Sequence, residues 1–421
     1  MGAGRGAVTT SASLISSKEN PKKWRNALHR VASFSHLAFA WRELHSRATA
    51  RSKKTVGVDG QSINEFRVES TYHLKRLSYE LTQRLFRFRA LQAHRIPKSN
   101  GKIRIICVPT VYDRVVQRAL LEYLTVQYKN KFENEVSYGF VRDRTVKKAV
   151  DTACNCRRLR RWVYKTDIES FFDRIERAHL CAQISRYIRE KSLRNLLFDA
   201  VDCEVDDSRR SIRTELKKQN IHKGKGVRQG MPLSPFFANL VLKDFDAAIT
   251  AHGLSAIRYA DDLIFFATSK EQCLSIHEFC RKELLKLGHT IPDYEPNTNS
   301  KTEIFAPDET ADFLGLGITP QGSGYVAKVT SKQLAKIREQ LLMLSSPKEL
   351  VTRGIRLANF DQALTNRVNG YLHAYEDCAN AVQVANELSS VSERVRRIIY
   401  RDHLKIDFNS ISSEARAFIG I

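Results

Sequence analysis

Tyr259-Ala260-Asp261-Asp262 sets two adjacent carboxylates between the short apolar runs Ala256-Ile257 and Leu263-Phe266. Upstream, Asp167 closes the strand-like run Trp162-Val163-Tyr164-Lys165-Thr166. If the two segments are neighbours in one sheet, their carboxylates meet at one spot and repel each other unless a cation compensates. Hard oxygen donors favour magnesium or manganese. Two such ions held about 4 Å apart would activate an attacking hydroxyl and stabilise the leaving oxygen of a phosphoryl transfer. Taken alone, Asp261-Asp262 also fits a solvated polar turn of a hairpin.

The flanking sequence supplies elements able to hold such a site. Residues 176–190 read as a helix after the first strand, and 199–228 as a polar loop or small hairpin with Gly224 and Gly226 near its end. A helix follows Pro235, and 256–268 read as two short strands interrupted by the Asp pair. Cys273, Ile276, Cys280, Leu284 and Leu287 then line one face of a helix that Gly288 can cap. Leu74, Leu77, Leu81 and Leu85 within 70–88, and Val116, Leu120 and Leu124 within 111–126, predict two amphipathic helices. Between them, 94–109 has a Ser99-Asn100-Gly101 turn flanked by alternating residues, the signal of a β-hairpin with Lys98, Lys102 and Arg104 pointing outward. From about 326 onward the sequence reads as helical and basic, a separate lobe.

The 421-residue chain carries 69 Lys+Arg against 46 Asp+Glu, a formal charge of +23. That excess argues against a generic enzyme of small metabolites and points to a polyanion, either nucleic acid or an anionic membrane surface. No run approaches the ~18 apolar residues needed to cross a bilayer, so a soluble protein is expected. The 8 cysteines lack C-x-x-C pairing, which argues against a zinc site or disulfide framework and fits a reduced cytoplasm. The first ~20 residues read as a flexible arm. Arg142, Arg144, Arg157 and Arg158 belong to a basic cluster just before Asp167, and Arg367 to another in the last lobe, where Tyr371, Tyr375 and Tyr400 are interleaved. Each is either a solvated face or a phosphate contact, since neutralising phosphates releases counterions. Tyr371 and Tyr375, four apart, also suit packing of a helical core.

These segments resemble a known family. Lys165-Thr166-Asp167-Ile168-Glu169-Ser170-Phe171-Phe172-Asp173, Gln229-Gly230-Met231-Pro232-Leu233-Ser234-Pro235 and Tyr259-Ala260-Asp261-Asp262 are similar to motifs A, B and C of reverse transcriptases, in order and at compatible intervals. Gly57-Val58-Asp59-Gly60, the Ile96-Pro97-Lys98 to Arg104 hairpin and Ser137-Tyr138-Gly139-Phe140 resemble the fingers blocks of group II intron-type enzymes. Lys301-Thr302 and Phe313-Leu314-Gly315 resemble motifs D and E. The resemblance spans roughly 55–320 and extends weakly to Asn366–Tyr371. The sequence departs from the group II pattern at Val141-Arg142-Asp143-Arg144-Thr145, where only Arg144 clearly aligns, and at Arg228, where Pro is common.

The resemblance implies an α+β, right-hand polymerase: an N-terminal arm and helical extension at 1–50, fingers and an RRM-like antiparallel palm at 51–320, and a helical basic thumb at 321–421. It implies RNA-directed DNA synthesis, with RNA template, DNA product and deoxynucleoside triphosphates as partners, no membrane, and two Mg2+ or Mn2+ ions. Asp167, Asp261 and Asp262 would be catalytic, and the first two, beside Asp262 and the Ile168 carbonyl, would hold the metals. Lys98 and Arg104 would grip the triphosphate, Gln229 and Gly230 would lie against nucleotide and template, and Lys301 would protonate the leaving pyrophosphate. Phe172, five residues after Asp167, would exclude the ribose 2′-hydroxyl. Residues 308–315 would form the turn that holds the primer end. By shape the chain resembles compact, stand-alone bacterial enzymes, among them defence-associated ones, without room after about 330 for both a thumb and an endonuclease or RNase H domain. Two alternatives stay open: an RNA-binding maturase or scaffold with a vestigial site, and template-independent or protein-primed DNA synthesis.

Overall fold

A computed structural model describes residues 26–97, 103–296, 298 and 300–419. The N-terminal arm and Lys98 lie outside the described residues. Strands β1 (Gln92–Pro97) and β2 (Ile103–Val108) form the expected antiparallel hairpin. Next in the chain come β3 (Trp162–Asp167), β4 (Ser255–Tyr259), β5 (Asp262–Ala267) and β6 (Glu303–Phe305), which build one antiparallel sheet in the order β4-β5-β3-β6. The placing of β5 explains why 263–267 is an unbroken apolar run rather than an alternating one. Leu263, Phe265 and Ala267 enter one core with Tyr164, while Ile264 and Phe266 enter a second with Val163 and Ile257. Where a strand is covered on both faces, as β5 is over these positions, apolar residues are favoured at successive positions rather than at alternate ones.

The helix Lys270–Leu285 covers the first face, burying Cys273, Ile276, Cys280 and Leu284 as the periodicity predicts. Ser269 caps its start, and Gly288, at φ +76°, follows its end. Helix Val111–Gln127 matches its expectation, but the helix at 70–88 stops at Thr82. Arg84 turns the chain at φ +59°, and Leu85 is left exposed. The segment 199–228 is a correction: the helix Lys191–Val201 runs into it and a second helix occupies Arg210–Lys218. That second helix buries only Ile212 and Glu215, so its apolar stripe is too thin to register as a period.

Another correction concerns the last lobe. Strands β7 (Ala311–Phe313), β8 (Leu316–Gln321) and β9 (Gly324–Val329) form a third sheet, so the expected boundary at 320/321 cuts through β8 and strand stands where helix was expected from 326. Leu314 and Gly315, both at positive φ (+52° and +82°), make the tight turn between β7 and β8. Behind this sheet, the helices Ser331–Leu342, Leu357–Tyr375 and Ala381–Arg397 close the second core. Tyr371 and Tyr375 pack against it, and the Tyr400 hydroxyl donates to Asp361.

At the end of β4 the fully buried Arg258 binds both carboxylate oxygens of the buried Asp246 at 2.6 Å. Its remaining donors reach Ser137 Oγ (2.9 Å), Asn239 Oδ1 (3.0 Å) and the Ala260 carbonyl (3.1 Å). One guanidinium therefore ties the β4–β5 turn to two helices and to the 136–139 segment. Removing one partner of such a pair strands a charge. Asp246→Ala should cost about 3–5 kcal/mol in urea unfolding, and Arg258→Met/Asp246→Leu should recover much of it. A single-variant loss below about 1 kcal/mol, the range of an exposed pair, would contradict this account.

Candidate active site

The β3–β5 ladder places Asp167 directly opposite Asp262, the last residue of one strand facing the first of the next. Asp261 sits in the turn before Asp262, and its carbonyl accepts from the Ile168 N–H at 3.1 Å. Ala260 starts that turn at φ +60°, a conformation that favours glycine. The turn is braced from outside by Gly139: a Cβ built there would lie 2.3 Å from the Ala260 nitrogen, so only glycine permits the approach. Asn239 Nδ2 donates to the Gly139 carbonyl at 2.9 Å, fixing the brace.

Burial, then the neighbouring Asp261 and Asp167 charges, push the Asp262 carboxyl up to about 6. Asp261 is also raised, by burial and then by Asp167. Both groups hold protons more tightly folded than unfolded, so their contribution to stability is greatest in acid and is lost as pH rises, for Asp262 through about 6. Lys301 forms an ion pair with Asp167, and Arg104 and Lys165 lower Asp261 and Asp262 respectively from further away. Among the described residues, no group of three or more His, Cys, Asp or Glu is already arranged as a metal cage. The donor chemistry nevertheless fits a hard divalent cation. It consists of crowded, desolvated carboxylates whose present counter-charge is an exposed ammonium on one of them.

Lys301 is delivered by the chain that leads into β6. Thr302 hydrogen-bonds Thr166 at 2.7 Å and the Pro292 carbonyl at 2.7 Å. After β3, Ser170 at φ +48° turns the backbone into a short helix in which Phe171 is buried and Phe172 half-buried, with ring centroids 5.4 Å apart. Phe171 is therefore the core aromatic, and Phe172 is the one with an open face. Gln229 accepts from the Cys107 N–H through its carbonyl at 2.8 Å. A Cβ on Gly230 would lie 2.4 Å from the Cys107 carbonyl oxygen, so this glycine is required by β2 itself. Arg228 is buried and bonded to Glu204 (3.0 Å) and the His222 carbonyl (2.6 Å). Arg104 is exposed on β2.

Of the expected nucleic-acid contacts, Arg142, Arg158 and Arg367 are exposed. Arg144 is half-buried, donating to the Ser137 carbonyl at 2.6 Å and lying over the Tyr138 ring at 4.8 Å. Arg157 is a correction: it is fully buried, its donors spent on backbone carbonyls, so it faces no phosphate. The residues that sequence reasoning missed are Arg258, Asp246 and Asn239. Within a strand and two helices of this composition, nothing in their spacing marks them, because their roles arise only through tertiary hydrogen bonds.

Residues 96–318 match the family model described as reverse transcriptase (RNA-dependent DNA polymerase). Among curated relatives, Protein YkfC of Escherichia coli (strain K12) is 31% identical over 332 residues, 68% of this chain and 82% of that protein. The group II intron-encoded protein LtrA of Lactococcus lactis subsp. cremoris is 26% identical over 62% of this chain and 44% of its own length. Among solved structures, a telomerase from Candida tropicalis in complex with a fragment of telomeric RNA aligns with TM-score 0.41 and 12% identity, covering 85% of this chain and 68% of that one. The paired carboxylates at the β3–β5 edge thus lie inside a matched span of more than half the sequence, and the chain belongs to the reverse transcriptase family, the RNA-dependent DNA polymerases.

Proposed function

We propose that this chain adds deoxynucleotides to a primer 3′-hydroxyl by two-metal phosphoryl transfer. The observation that carries this reading is the register pairing Asp167 with Asp262 beside Asp261 at the ends of two central strands, with Lys301 paired to Asp167 and the Arg104 charge acting on Asp261. Asp167 and Asp261, with Asp262 beside them and the Ile168 carbonyl, would hold two Mg2+ or Mn2+ ions, which when bound lower the barrier for hydroxyl attack and neutralise the departing pyrophosphate.

The chain's own residues do the rest. The exposed Arg104 guanidinium on β2 can bind two phosphate oxygens of the incoming triphosphate at once. Phe172 presents a half-buried ring where a ribose 2′-hydroxyl would have to fit, while Phe171 behind it prevents the ring from retreating. Lys301, once released from Asp167, carries the proton at Nζ that the pyrophosphate oxygen needs. The β7–β8 turn at Leu314-Gly315 is read as the support of the primer end, and the exposed Arg142, Arg158 and Arg367 as template or product phosphate contacts.

Asp261→Ala/Asp262→Ala should abolish deoxynucleotide incorporation on a primed RNA template while RNA binding survives. Magnesium should raise the melting temperature of wild type and leave that of the double variant unchanged. Full incorporation by the variant would sink the reading. Phe172→Ala should admit ribonucleotides, and an unaltered ratio of ribonucleotide to deoxynucleotide use would remove Phe172 from the gate.

The template is proposed to be a structured non-coding RNA and the role antiviral defence, supported by the motif series' resemblance to compact bacterial enzymes. Sequencing nucleic acid that co-purifies from the host should return one discrete RNA with matching complementary DNA. Bulk transcripts would argue for a general copying enzyme.

A further inference from the structure

Arg157 lies near the end of the helix Val146–Leu159, and its side chain is wholly removed from solvent. Its Nε donates to the Arg161 carbonyl at 3.2 Å, Nη1 to the Ile318 carbonyl at 2.6 Å, and Nη2 to the carbonyls of Ala306 (2.8 Å) and Glu309 (2.7 Å). The guanidinium also sits 4.4 Å from the centroid of the Tyr325 ring, whose hydroxyl donates to the Pro307 carbonyl at 2.8 Å and accepts from Arg161 Nε at 3.2 Å. The acceptors come from three places. Arg161 immediately precedes β3, residues 306–309 turn the chain from β6 into β7, and Ile318 is on β8.

Filling space alone does not call for this residue. Among the described residues Arg157 makes no ion pair, so a buried cation is satisfied only by neutral carbonyls and an aromatic face. An apolar side chain of similar volume would avoid burying a charge but would leave the Ile318, Ala306 and Glu309 carbonyls without this donor. What a planar fork of donors provides that an apolar side chain cannot is fixed relative geometry. Here it fixes the β7–β8 hairpin against the start of β3, the strand whose other end is Asp167. Arg161 and Asp167 are six residues apart on extended chain, roughly 20 Å at ~3.3 Å per residue, so the strand acts as a spacer of set length.

We propose that Arg157 is a positioning residue for synthesis: by clamping the 306–309 turn and β8 to the foot of β3, it sets where the β7–β8 hairpin holds the primer end relative to the catalytic carboxylates. This rests on the reading of that hairpin as the primer support. The exposed Arg158 beside it can still take a phosphate, so adjacent arginines divide the work, one holding the frame and one the nucleic acid.

The test uses the full chain with Arg157→Met, Arg157→Lys and Tyr325→Phe, the last keeping the ring and removing its hydroxyl's bonds to the Pro307 carbonyl and Arg161 Nε. Binding of a primed RNA template should change less than about twofold, while the single-turnover rate falls on the order of 10- to 100-fold for Arg157→Met, the scale of a small misplacement of reacting groups. Preference for matched over mismatched primer ends should drop with it. Arg157→Lys should recover part of the rate and Tyr325→Phe should lose a smaller part. Hydrogen exchange, which needs no synthesis, should rise at 306–318 and stay constant in β3 and β5. Unchanged rate and exchange, or a rate loss that merely tracks lost template binding or global stability, would overturn the proposal. Inactive wild type would instead sink the polymerase reading, leaving the exchange pattern to decide whether Arg157 clamps the hairpin.

Discussion

The structure is organised around an arrangement that would fly apart by itself: carboxylates crowded at the meeting ends of two strands. The sheet's hydrogen-bond ladder imposes it, because the register that buries Tyr164 against Phe265 on one face and Val163 against Phe266 on the other also sets Asp167 across from Asp262. A one-residue slip would exchange the faces of β3 and expose its apolar residues to the wrong core. Hydrophobic register thus pays for electrostatic strain. Burial first, and the crowded charges second, raise the Asp261 and Asp262 carboxyls, and the Lys301 ammonium on Asp167 partly offsets the crowding.

Other features near the site follow from the same constraint. The β4–β5 turn takes a left-handed residue at Ala260, at about 1–2 kcal/mol for a side-chain-bearing residue, and so must be held. Arg258 holds it from below through the Ala260 carbonyl, and Gly139 from outside by the close approach that only a glycine allows. Both act on backbone rather than on the carboxylates, which leaves the acidic oxygens free for cations.

This division explains what could be read from the sequence. The carboxylates were legible because polar residues interrupting apolar strands are conspicuous, and the helix Lys270–Leu285 was legible because four core positions recur at helical spacing. The helix Arg210–Lys218 was not, since only Ile212 and Glu215 are buried and charge dominates its composition. Strand β9 was hidden because Gly324–Val329 runs almost directly into the helix Ser331–Leu342, and from about 326 the two read as one basic, helical stretch. The Lys301–Asp167 pair joins residues far apart in the chain, which no local pattern encodes.

Arginine is where a basic sequence misleads most. Among the described residues Arg157 and Arg258 are the largest fully buried side chains, in a protein whose charge of +23 suggests that its cations face outward. They solve burial differently. Arg258 has the Asp246 carboxylate and makes a neutral pair, whereas Arg157 has carbonyls and the Tyr325 ring and stays a net charge in the interior. Uncompensated burial is the costlier arrangement, so it belongs where geometry rather than stability is at stake. The two grip opposite ends of the palm sheet, Arg157 at the foot of β3 and Arg258 at the turn that brings Asp262 to its tip. A strand fixed at both ends cannot shift at one without shifting at the other. The hairpin tied to its foot and the carboxylates at its tip are therefore held a set distance apart, the separation on which the proposed role of Arg157 depends.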